Sequence, residues 1–114
     1  MLNGDGMQPG TKNLKLYQGA TDRVTFWMKD KSRQPIDLSG TTIVGYLKTA
    51  NKTATLTVGN GIIISSTEGK VELVFTPEMK VGMSNKGTWS VKVTWSNGNI
   101  WRILEGEANI IPEK

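Results

Sequence analysis

The stretch from Gly87 to Gly106, GTWSVKVTWSNGNIWRILEG, constrains what this chain can fold into more than any other. Trp89, Val91, Val93 and Trp95 alternate with Ser90, Lys92, Thr94 and Ser96. A period of two turns successive side chains to opposite faces, so this pattern predicts a strand with one apolar and one wet face. Asn97-Gly98 follows, and both residues tolerate the positive φ of a tight hairpin turn. Two registers fit. A two-residue loop, Asn97-Gly98, sets Trp95 against Ile100 and turns Arg102 inward. A three-residue loop, Asn97 to Asn99, sets Trp95 against Trp101 and Val93 against Ile103. Because a slip of one residue exchanges the faces of a strand, apolar matching favours the second and turn chemistry the first. The second is the expectation here.

The rest of the chain repeats the theme in shorter pieces. Residues 1–12 carry three glycines, a proline and little that is apolar, and are expected to form a flexible N-terminal arm before a single domain over 13–114. Asn3-Gly4-Asp5-Gly6 lacks the further ligands and terminal glutamate of a calcium loop. Leu14 and Leu16 open a first strand. Asp22 to Lys29 forms a second, with Val24, Phe26 and Met28 on one face and Thr25 and Trp27 on the other. A polar turn, Asp30 to Pro35, leads through Ile36 to Gly40 into a strand at Thr41 to Thr49. Thr53 to Val58, Ile62 to Ser66 and Lys70 to Thr76 follow, the last with Val71, Leu73 and Phe75 inward. Thr76-Pro77-Glu78-Met79 offers a capping threonine, proline at the first helical position and an early acid, which predicts a short helical turn near 77–81. Glu107 to Ile111 is expected as a separate last strand. Many short strands divided by Gly, Asn, Ser and Pro indicate an all-β antiparallel sandwich or barrel.

Composition narrows the chemistry. At 114 residues the chain is long enough for one domain that buries roughly two thirds of its unfolded surface without cross-links. It contains no cysteine and no histidine, which removes disulfides, thiolate metal sites and the commonest general base at neutral pH. No basic start or apolar core marks the N-terminus as a secretory signal, and no apolar run approaches the roughly 20 residues of a membrane helix. A soluble protein made in a cytoplasm is expected. The net charge of +4 arises from 14 basic and 10 acidic residues spread along the chain. The densest cluster, Lys29, Lys31 and Arg33, fits a solvated surface better than a nucleic-acid site.

No constellation for catalysis stands out. Glu105 and Glu107 can share a strand face, but neither has an evident apolar pocket to set their acidities apart. A serine nucleophile has no histidine to activate it, and no Ser-x-x-Lys motif is present. Gly59-Asn60-Gly61 reads as a turn rather than a phosphate cradle, since no helix follows. Asn51-Lys52-Thr53 matches a glycosylation sequon but means little without secretion. No catalytic residue, metal or cofactor is therefore expected. Trp89, Trp95 and Trp101 read as core or interface residues. Trp27, on the wetter face of its strand, is the exception, and Trp27, Lys29, Lys31 and Arg33 form the candidate interaction patch. Exposed indoles can also stack on sugars, or on bases in a basic groove, so a carbohydrate-binding or host-adhesion module and a single-strand nucleic-acid-binding barrel remain rival readings.

Several local motifs occur in a particular order: Gln18-Gly19 before Asp22 to Trp27, the polar turn Lys29 to Gln34, and Pro35-Ile36-Asp37-Leu38-Ser39-Gly40-Thr41. Then come Glu68-Gly69-Lys70-Val71, the Thr76 to Met79 turn and Gly87-Thr88-Trp89. From Leu14 to Ile111 this order resembles the Ig-like N-terminal domain of phage baseplate upper proteins, the BppU N-terminal family. The resemblance implies an antiparallel Ig-like β-sandwich of about 7–9 strands. Gly40 and Gly69 would relieve tight corners, and Ile36 and Leu38 would plug one end of the sandwich. It further implies a structural virion component of a tailed phage, made in the host cytoplasm, that docks on tail or baseplate proteins and can assemble with copies of itself. A membrane or nucleic-acid partner is not expected. Family members usually continue into a helical linker and a receptor-binding region. This chain stops at Lys114, which points to a small adaptor or decoration subunit.

Overall fold

Alternating apolar side chains draw most of the chain into strands. The computed structural model describes residues 10–29 and 32–112. In order, the strands are β1 (Gly10–Thr11), β2 (Leu14–Tyr17), β3 (Asp22–Trp27), β4 (Thr42–Thr49), β5 (Thr53–Val58), β6 (Gly61–Ser65), β7 (Lys70–Phe75), β8 (Lys86–Thr94) and β9 (Ile100–Ile111). A 3-10 turn at Ser66–Glu68 precedes β7, and one turn of helix, α1 (Pro77–Lys80), follows it. That helical turn lies where the Thr76-Pro77 signal sets it. The Thr76 hydroxyl makes no capping bond, however, and the turn closes through Met79 N–H donating to the Thr76 carbonyl at 3.2 Å.

The strands form one mixed sheet, in the order β1-β9-β8-β4-β5-β6-β7-β3, with β2 also on β9, curled into a half-barrel. Its concave side holds a single core that includes Leu16, Leu38, Ile43, Leu47, Leu56, Val71, Phe75, Trp89 and Val91. The all-β expectation holds, but the sheet is not purely antiparallel. β1 and β2 run parallel to β9, and β5 meets β6 in a short parallel contact at the Gly59-Asn60 corner. The crossover that the parallel β2–β9 pair needs is nearly the whole domain. Val58 has the parity of the buried Ala54 and Leu56 but is 48% exposed, at the corner where the chain turns out of β5.

Neither predicted hairpin register forms. Trp95 N–H donates to Asn99 O and Gly98 N–H to Trp95 O, each at 2.8 Å, and Gly98 takes φ 91°. The loop therefore has three residues, but they are Ser96, Asn97 and Gly98, a turn closed by a left-handed glycine. Val93 lies opposite Trp101 and Thr94 opposite Ile100, where the expected partners were Ile103 for Val93 and Trp101 for Trp95. Farther down, Val91 lies opposite Leu104, leaving Ile103 as the extra residue of a β-bulge. The bulge changes the phase of β9. Trp101 and Ile103 face the core before it, and Ala108 and Ile110 after it. The strand expected to begin at Glu107 is thus the continuation of the hairpin arm. Trp95 and Trp101 still meet, edge to face, with ring centres 4.9 Å apart.

The expected arm is partly docked. Residues 1–9, including Asn3-Gly4-Asp5-Gly6, lie outside the described residues, but Gly10 and Thr11 pair with Leu104 and Glu105. The Lys12 carbonyl accepts a hydrogen bond from the buried Trp89 indole at 2.7 Å. Gly106 makes that crossing feasible: a Cβ there would lie 1.9 Å from the Lys12 oxygen. Leu38 is buried, Ile36 packs against the core, and Gly40 and Gly69 take positive φ, as the plug and corners require.

Candidate interaction surface

Trp27 stands on the outer face of β3, at the end of the sheet, and is 54% exposed. The alternation that buries Met28 and packs Val24 and Phe26 on the core obliges Arg23, Thr25 and Trp27 to face out. Register sets Trp27 opposite Lys70 on β7, and Thr25 opposite Glu72, which in turn lies opposite the exposed Ile63 of β6. Arg23 Nη1 lies 3.5 Å from Glu72 Oε2. An indole and an isoleucine thus share a face with a few charges. Lys70, across from Trp27, was missed from the sequence because strand pairing, not proximity along the chain, brings it there.

Lys29 is exposed just beyond β3 and bridges to Pro35, while Arg33 is exposed with φ 64°. Lys31 lies outside the described residues. Met28 N–H donates to Gly69 O at 2.7 Å and its carbonyl accepts from Ile36 N–H at 2.9 Å, which anchors both ends of this turn to the core side. Asp37 then accepts from the Ser39 hydroxyl at 2.7 Å and the Ser39 N–H at 2.9 Å. These bonds, the hydroxyl first, hold the Asp37 carboxyl below the usual aspartate range.

A second feature is a shallow depression of about 830 Å³ on the outer face of β9, β8, β4 and β5, lined in part by Tyr46, Lys48, Arg102, Glu105 and Glu107. Glu105 and Glu107 do share this face, opposite Ser90 and Thr88. Glu105 lies 3.4 Å from Arg102 in an exposed ion pair. Lys92 Nζ stands 5.3 Å over the Tyr46 ring. Asn51 of the sequon turns its amide to structural use: Nδ2 donates to Gly82 O at 2.6 Å and Oδ1 accepts from Ser84 N–H at 3.0 Å. Trp89 is core, and Trp95 and Trp101 are packed against it. Among the described residues no group of acidic, histidine or cysteine side chains is arranged to hold a metal ion, and no helix is long and apolar enough to cross a membrane.

The curled all-β fold has relatives among solved structures. A protein from Bacteroides vulgatus carrying the name "putative glycoside hydrolase" superposes with a TM-score of 0.56 at 11% identity, over 89% of this chain and 17% of its own length. This chain therefore spans about a sixth of that protein, and the likeness is one of fold. No family model and no curated protein matches the sequence.

Proposed function

We propose that this chain is a non-enzymatic Ig-like β-sandwich subunit of a tailed-phage particle, a tail or baseplate adaptor or decoration protein that works through protein–protein contacts. The observation that carries the reading is Trp27, a large apolar side chain left 54% exposed on the terminal strand of a rigid sheet. Covering the exposed half of an indole removes on the order of 100 Å² from water, worth roughly 2 kcal/mol in a contact. Lys70 across from Trp27, and the exposed Lys29 and Arg33 of the following turn, supply polar groups around such an anchor, and the resemblance of the motif order to the baseplate upper proteins suggests the setting. The test is incorporation into particles. Trp27→Ala should leave the domain folded, since its indole is largely outside the core, and lower the amount of subunit in purified particles about tenfold. Unchanged incorporation of the folded variant contradicts the proposed patch.

The name of the Bacteroides neighbour favours a second reading, a carbohydrate-binding module. Such a module stacks an open aromatic face on sugar rings. One face of Tyr46 is engaged by Lys92 and Trp27 is the exposed indole, so this reading also rests on Trp27. Glycan-array binding abolished by Trp27→Ala would establish it in place of the first.

A further inference from the structure

We propose that the free edge of β3 pairs with β3 of a second copy of this chain, antiparallel, about a two-fold axis at Thr25. The proposal rests on the reading of Trp27 as a contact residue and names its partner.

Among the described residues β3 pairs with β7 on one side and ends the sheet on the other. Met28 N–H, just past the strand, points to Gly69 beside β7. Backbone groups alternate in direction along a strand, so Phe26, Val24 and Asp22 share that orientation. The N–H and C=O of Arg23, Thr25 and Trp27 therefore face the open edge. Sheet edges are normally guarded by proline, lysine, a bulge or an interruption. The opposite edge of this sheet follows the rule: Lys12 and Asn13 interrupt it between β1 and β2, and Lys15 stands on β2. In contrast β3, DRVTFW, contains neither proline nor lysine, turns one charge outward, Arg23, and pairs with β7 without a register shift.

Self-complementarity identifies the occupant. Opposed residues of an antiparallel pair share a face, so outward residues must meet outward residues. Setting Thr25 against the partner's Thr25 brings Arg23 opposite the partner's Trp27, and Trp27 opposite the partner's Arg23. In this register every edge-facing backbone group of Arg23, Thr25 and Trp27 falls in a hydrogen-bonded pair. On the outer face a half-exposed guanidinium comes beside an exposed indole, twice over, an arrangement suited to cation–π contact. On the inner face Val24 meets the partner's Phe26, both already packed on the core, so the join extends the apolar interior. A slip of two residues in either direction loses both Arg–Trp pairings and carries one end of each strand past the other.

The native chain lacks cysteine, which makes cross-linking specific. At a hydrogen-bonded pair the axial Cα atoms would be about 5.5 Å apart, within disulfide range. Thr25→Cys should oxidise to a covalent dimer under mild conditions, and Thr55→Cys, on an exposed position of β5, should not. Sedimentation of the native chain should give about twice the 12.5 kDa monomer mass, a roughly 25 kDa species. Arg23→Ala and Trp27→Ala should each weaken self-association about tenfold while the circular dichroism of the sheet is kept. A native chain that stays monomeric at roughly millimolar concentration, with no more cross-linking at residue 25 than at 55, overturns the proposal. If that monomer still needs Trp27 to enter particles, the self-pairing alone is wrong. A native dimer whose Trp27→Ala variant enters particles unimpaired upholds the pairing and contradicts the virion contact.

Discussion

Lys80 brings its charge to a position with no exposed surface and is held there by three acceptors. Its Nζ donates to the carbonyls of Tyr17 and Ala20 at 2.6 Å each and to Asp22 Oδ2 at 2.5 Å. The single turn of α1 is thereby tied to the β2–β3 corner, and Asp22 also accepts from Tyr17 N–H at 3.0 Å. Lys80→Met keeps most of the volume but removes the ammonium from all three acceptors, leaving Asp22 with only the Tyr17 N–H and the Tyr17 carbonyl with only the Ala20 N–H, and should cost roughly 3 kcal/mol of unfolding free energy in a denaturant titration. Nothing in Pro77-Glu78-Met79-Lys80 distinguishes this lysine from a solvated one, because its partners are about 60 residues away, as the separation between Lys80 and Ala20 records. Trp89 was legible by contrast, since alternation alone assigns it to the dry face. Asp37 offers a pH test at the same scale. Its carboxyl titrates below the usual 3.8 because Ser39 donates to the charged form. A depressed folded value means that its contribution is present above the ordinary aspartate pKa and lost as pH falls through the folded one. Carboxyl titration by NMR should find the Asp37 midpoint below 3.8, and Ser39→Ala should return it upward.

At the scale of elements, β9 holds the sheet together by pairing with β8 on one side and with β1 and β2 on the other. Gly106→Ala tests that arrangement, because the new methyl would collide with the Lys12 carbonyl. The expected result is loss of hydrogen-exchange protection at Lys12, whose N–H bonds to Glu105 O, with protection kept along β4. The elements themselves were readable where a strict period of two ran unbroken, as in β4, β7 and β8. β9 was misread because its apolar positions change phase at Ile103-Leu104, and a bulge looks in sequence like the end of one strand and the start of another. Strand direction was not readable at all. Alternation fixes which face is dry, but it says nothing of whether a neighbour runs parallel, so the pairing of β2 with β9 came only with the fold.

For the whole molecule, the candidate patch was legible in part. Trp27 followed from its parity with Val24 and Phe26, whereas Lys70 and Ile63 join it only through the registers of β7 and β6. In the proposed function the core is a scaffold and β3 the working edge, covered when the subunit is in the particle. Quantitative mass spectrometry of purified phage particles tests this most directly. The chain is expected in the tail or baseplate fraction, in fixed ratio to the other structural proteins. Particles that carry none of it, while the chain accumulates free in the infected cell, would contradict the account.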